Sequence, residues 1–130
     1  MKIIDFHTHV YPDHIAHKAT RSICDFYGLD TDQTGMVDTL LSRGHAAGID
    51  RFVLLGVAVR PDGVRAVNEF IVKQTREHPE CYGFGAIHPD MPDMAGELAF
   101  IPRPLPAIRL PREGLGPSAV RCGGCPFPER

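Results

Sequence analysis

Lys2-Ile3-Ile4-Asp5-Phe6-His7-Thr8-His9-Val10 decides how the rest of the chain reads. Its start is apolar and β-type, and it ends on two histidines one residue apart. Side chains alternate across a strand, so the spacing predicts Asp5, His7 and His9 on one face and Phe6 and Thr8 on the other. Two imidazoles on one face at a strand end can bind a single divalent ion, with a third or fourth ligand supplied from elsewhere in the fold. Short His-x-His pairs also arise by chance at exposed strand ends. Here the apolar run points the pair at the strand's C-terminal end, before Tyr11-Pro12 and a helix, and the metal site is the favoured reading. Asp5 sits one step deeper on the same face. It either braces the histidines from behind or serves as a buried hydrogen-bond acceptor at the strand's centre.

Working outward, Pro12 suits a first helical turn and Asp13 can cap free amides. Ile15, Ala16, Ala19, Ile23, Phe26 and Tyr27 recur at helical spacing, and Gly28 is a stop. His14 and His17 fall in the first turns of this helix, where a solvated histidine is commoner than a ligand. Residues 29–35 read as a loop. A second helix is predicted over 36–47, with Val37, Leu40 and Leu41 as its apolar stripe, His45 near its negative end and Gly48 beyond it. Residues 51–59 form a continuous apolar run, as in a strand covered on both faces.

Arg60-Pro61-Asp62-Gly63 is a turn that leaves Arg60 just past that strand. Val64, Val67, Phe70 and Ile71 mark a third helix running to His78, closed by Pro79. Residues 81–87 are a third strand, with Gly83 and Gly85 permitting close approach of a neighbour. His88 follows directly: it faces the metal, contacts a substrate, or is a strand-end turn residue. Residues 93–100 begin a fourth helix, with Met94, Leu98 and Ile101 at helical spacing. The order β-α-α-β-α-β with helical crossovers predicts a parallel α/β sheet.

Asp5-Phe6-His7-Thr8-His9-Val10-Tyr11-Pro12 resembles the Asp-x-His-x-His opening of the amidohydrolase superfamily, closest to its amidohydrolase-related (amidohydrolase 2) branch of hydrolases and metal-dependent decarboxylases. The likeness continues through Ile49-Asp50-Arg51-Phe52-Val53-Leu54-Leu55 and Gly83-Phe84-Gly85-Ala86-Ile87-His88-Pro89, and stops near residue 100. It implies the N-terminal part, about three βα units, of a (β/α)8 TIM barrel, which typically takes about 250 residues. It implies a divalent ion, usually zinc, held by His7 and His9, with further histidines from the fifth and sixth strands and an aspartate from the eighth. The expected function is hydrolysis of C–N bonds, or decarboxylation, of a small-molecule substrate. The expected state of this chain is an inactive N-terminal fragment, with no identifiable catalytic base. Polymerase-and-histidinol-phosphatase enzymes also carry His-x-His on a first strand, but their usual Ser-Asp-Gly continuation is missing after His9.

From Pro102 the character changes. Seven of the twelve prolines lie in residues 102–130, together with Arg103, Arg109, Arg112, Arg121 and Arg130. Proline blocks helix and central strand alike, so this segment does not continue a barrel. It reads as a frameshift product of a GC-rich gene, as a native disordered basic arm that binds nucleic acid or a partner, or as an irregular folded ending. The two expected parts are therefore a partial barrel, 1–101, and a tail, 102–130. The tail carries +3 and the remainder −5 of the formal −2. Cys122-Gly-Gly-Cys125 matches half of a zinc site or a redox pair, and one CxxC alone is a weak signal.

Cys24 and Cys81 lie elsewhere, so no disulfide framework is indicated. At 130 residues the chain is at most one domain. Asp5 interrupts the opening apolar run, which is too short for a signal peptide, and no stretch approaches a membrane span. A cytoplasmic, soluble protein without membrane or nucleic-acid partners is expected. Self-association through exposed sheet edges is expected too. The competing reading is a non-catalytic metal-binding or interaction module, with the Pro/Arg tail as its arm.

Overall fold

A computed structural model describes residues 2–101. The order is β1 (Ile4–Thr8), α1 (Asp13–Tyr27), α2 (Val37–Ala46), β2 (Arg51–Leu55), α3 (Val64–Glu77), β3 (Cys81–Phe84) and α4 (Met94–Phe100), with a 3-10 turn at Pro61–Gly63. The three strands form one sheet in the order β1-β2-β3, and both pairings are parallel. Parallel neighbours need crossovers, which α1 with α2 supply first and α3 second. The α/β class and the parallel sheet expected from the sequence are thus the observed ones. Expectations about residues 102–130, including Cys122 and Cys125, lie outside the described residues.

Phe52, Leu54 and Cys81 of the sheet pack with Val10, Val37, Leu41 and Ile71 into the core, with Leu40, Ile49 and Phe70 against it. The predicted stripes of α2 and α3 therefore face inward. Helix α2 comes close to the sheet because Gly44 has no side chain: a Cβ there would run into the Phe52 ring. His45, one residue on, meets the same ring edge to face at 5.5 Å. Gly28 ends α1 in the left-handed conformation, φ 64°, as its position predicts.

The structure differs from the sequence reading in five places. Strand β2 ends at Leu55 and β3 at Phe84, not at 59 and 87. The last pairs are Thr8–Leu54 and Leu55–Phe84, and among the described residues no further pairing beyond them supports an extended backbone. Val59 consequently stands 83% exposed. Asp13 does not cap α1; no side chain does, and the first amides of that turn, Ile15 and Ala16 N–H, both bond the Pro12 carbonyl.

The α1 stripe also stays largely in solvent, with Phe26 at 82% exposure and only Ala16 fully buried. Helix α4 buries Glu97 and leaves Met94 and Leu98 open. Finally, β1 carries three residue steps between the pairs Asp5–Phe52 and Thr8–Leu54, where β2 carries two. That irregularity breaks strict alternation, so Phe6 does not share the burial of Thr8: they are 54% and 6% exposed.

Candidate functional site

Strand β1 delivers its histidines at the C-terminal end of the sheet's edge. Thr8 and Val10 anchor the strand inward, and the Thr8 hydroxyl donates to the Val53 carbonyl at 2.9 Å. His7 and His9, the alternate residues, turn outward. Their Nε2 atoms lie 3.1 Å apart and their rings meet edge to face, with centroids 5.0 Å apart. The expected pairing of the two rings is what the geometry gives.

The tautomers follow from the partners. His9 Nδ1 lies 3.1 Å from the Leu55 carbonyl at the end of β2. A carbonyl only accepts, so this nitrogen carries the proton and His9 Nε2 is left with a free lone pair. His7 Nε2–H then donates to it. Two nitrogens bound to one zinc at about 2.0–2.1 Å stand roughly 3 Å apart, so the observed separation fits a shared ion. The Leu55 carbonyl is the outer hydrogen-bond partner that metal-binding imidazoles commonly have. Binding requires His7 to move its proton to Nδ1.

Asp5 does not reach either ring. Its Oδ1 accepts the His7 backbone N–H at 3.1 Å, tying down the strand at the irregular step. It thus holds the backbone from which the pair projects. His88 is half-buried beyond β3 and folded into its own turn: Nδ1 accepts the Asp90 N–H at 3.2 Å, and the Asp90 carboxylate lies 3.9 Å away. Among the described residues no group of three or more metal-capable side chains forms, so neither Asp5 nor His88 joins the histidine pair. His14 and His17 lie exposed on α1. Arg60 is paired with Asp62, which raises the arginine and holds the carboxyl below its ordinary range.

The pair opens onto a cleft of about 260 Å³, walled by Gln33, Gly35, Met36, Thr39 and Leu40. Thr39 and Leu40 of the first turn of α2 form this wall together with the end of the loop between α1 and α2. Gly35 turns it at φ 73°, where its carbonyl accepts the Tyr11 N–H at 2.9 Å; a side chain there would meet Thr20 and the Tyr11 ring. Burial beside this turn pushes the Tyr11 phenol up. Thr34 closes the loop onto α2, accepting the Met36 N–H at 3.2 Å and donating to Thr39 at 2.7 Å. Arg43 clasps Asp32 in a two-pronged pair, 2.9 and 2.7 Å, that holds the carboxyl below its ordinary range.

A second cluster sits behind β3. Asn68 donates to the Ala86 carbonyl at 2.9 Å and to Glu97 Oε1 at 2.7 Å, and its Oδ1 accepts the Ala86 N–H at 2.7 Å. Glu97 Oε2 meets Arg65 Nε at 2.9 Å, and that guanidinium lies 3.7 Å over the Phe100 ring. The cluster fixes the segment between β3 and His88. Sequence reasoning missed it, although an Asn within the inward stripe Val64, Val67, Ile71 is a signal that a buried polar partner exists.

Comparison with known protein families, curated proteins and solved structures found no match to this chain. Among the described residues no helix is long and apolar enough to cross a membrane.

Proposed function

We propose that residues 2–101 are the opening units of an amidohydrolase-type (β/α)8 barrel, and that His7 and His9 are two ligands of its divalent ion, zinc. One observation carries the reading: two Nε2 atoms face each other at 3.1 Å at the C-terminal end of a parallel strand, one of them freed by the Leu55 carbonyl. Barrel enzymes hold their chemistry at that end of the sheet. His7 and His9 would hold the ion, and the chemistry it would supply there is polarisation of a scissile group and a lowered pKa, to about 7, for a bound water. The chain's own part is to orient His9 through Leu55, to hold the His7 backbone through Asp5, and to wall the cleft with the 29–36 loop. The substrate class supported is a small molecule with a hydrolysable C–N bond, or a carboxylate lost by decarboxylation.

The pair alone is not a catalyst. Among the described residues no general base is identifiable beside it, and the 130-residue chain is expected to bind metal without turning over amides, esters or β-keto acids. The test is zinc calorimetry on the wild type and on His7→Ala and His9→Ala. One zinc per chain in the wild type, lost or much weakened in each variant, is the expected result. Undiminished binding in both variants contradicts the assignment, and chelator-sensitive turnover contradicts the expected inactivity.

A further inference from the structure

We infer that α1 is a dimerisation surface: two copies of this chain pack α1 against α1, antiparallel, about a two-fold axis between Ala19 and Ser22. The inference is independent of the metal reading. Ile15, Ala19, Ser22 and Phe26 recur at spacings of four, three and four, which is the seam of a paired helix. In the fold this seam lies away from the core. Ile15, Ser22 and Phe26 are exposed and Ala19 is half-buried, while Ala16 points inward. Phe26 and the Tyr27 ring stacked edge to face on it, centroids 4.9 Å apart, are 82% and 67% exposed. At about 200 Å² per ring they present roughly 300 Å², already the size of the largest apolar patch on many monomers. Ile15, Ile23, Val57 and Val59, all exposed, extend this face towards the roughly 800 Å² that each partner of a standard interface buries.

The pattern is self-complementary. Reversing the seam onto itself sets Ala19 against the partner's Ser22, and Ile15 against the partner's Phe26. Small residues at the crossing let the two backbones approach, and large ones fill the ends. A groove of about 390 Å³ beside Ile15, walled by Tyr11, Val57 and Val59, receives the partner's ring. The charges agree with that orientation. Lys18 and Asp25 lie seven residues apart on one flank of the seam, both exposed and neither ion-paired among the described residues. Antiparallel packing brings Lys18 of each copy to Asp25 of the other, giving two contacts of opposite sign. A two-fold pair uses the same surface on both copies, so the assembly closes at two. The cleft at His7 and His9 shares no lining residue with this groove and stays open.

The experiment is sedimentation equilibrium of the full 130-residue chain, carried out on Phe6→Lys, Phe84→Lys protein so that apolar sheet edges do not contribute. The expected result is a monomer–dimer equilibrium that levels off at twice the monomer mass. Phe26→Lys, at a side chain that the monomer leaves in solvent, weakens dimerisation by about tenfold or more with unchanged far-ultraviolet dichroism. Lys18→Asp weakens it by roughly fivefold, and Lys18→Asp together with Asp25→Lys restores it. A strict monomer, a mass that climbs past two copies, or a dimer indifferent to Phe26→Lys overturns the inference. A charge swap that fails to restore dimerisation overturns the antiparallel register and the inference with it.

Discussion

A carboxylate can stay at 4% exposure in this fold because both of its oxygens are claimed: Glu97 takes the Asn68 amide on one and the Arg65 guanidinium on the other. Removing one partner of such a cluster leaves the others unpaired, which costs more than the pair ever contributed. Glu97→Ala is therefore expected to destabilise by about 3 kcal/mol. Glu97→Gln, which keeps an acceptor for Asn68, should lose clearly less in the same urea titration. Equal losses would show that the Asn68 bond contributes nothing.

Cys81 gives the pH dependence. Burial, aided by Glu80, moves its thiol from 9.0 to about 12. The folded state thus disfavours the thiolate, and the stability this group contributes is intact below pH 9 and falls between 9 and 12, where only the unfolded chain ionises. The slope is about 1.4 kcal/mol per pH unit, and Cys81→Ala should flatten that part of the curve. In native protein at pH 8, peptide mapping after iodoacetamide treatment should find Cys81 unlabelled. Rapid labelling there would mean that the thiol is not buried.

At the scale of elements, the glycine stop of α1, the stripes of α2 and α3 and the order of strands were legible because each rests on local spacing, whereas the expected Asp13 cap and the stripes of α1 and α4 did not hold. Gly28, Val37, Leu41, Val64 and Ile71 do what their positions predict. The strand ends were not legible: an apolar run such as 51–59 looks uniform, but pairing to β1 and β3 stops it at Leu55. Nor was the extra residue in β1, since irregular register is a property of two strands together. In the site, His7 and His9 could be read from side-chain type, whereas the Leu55 carbonyl that sets the His9 tautomer is backbone and leaves no mark in the sequence. Gly44 tests how tightly α2 is seated. Gly44→Val, forced against Phe52, should cost about 2 kcal/mol despite removing a helical glycine. An unchanged urea midpoint would mean that α2 can move away from the sheet.

For the whole molecule, the open edges matter most. β1 and β3 each have one hydrogen-bonded neighbour among the described residues. Phe6 and Phe84, on those strands, are both 54% exposed. Unpaired edges with apolar side chains template association. Sedimentation should show an average mass that rises with protein concentration, and Phe6→Lys with Phe84→Lys should return it towards the monomer. A strict monomer at high concentration would show that these edges are covered, and residues 102–130 would then be the segment to delete next.

The most direct test of the central claim is a nitrogen-15 NMR titration of the imidazoles with zinc. Without metal, His9 should carry its proton on Nδ1 and His7 on Nε2. One equivalent of zinc should move the His7 proton to Nδ1 and shift both Nε2 resonances, leaving His14, His17, His45, His78 and His88 unmoved. Zinc that shifts other histidines, or leaves the His7 tautomer unchanged, would contradict a metal held between His7 and His9.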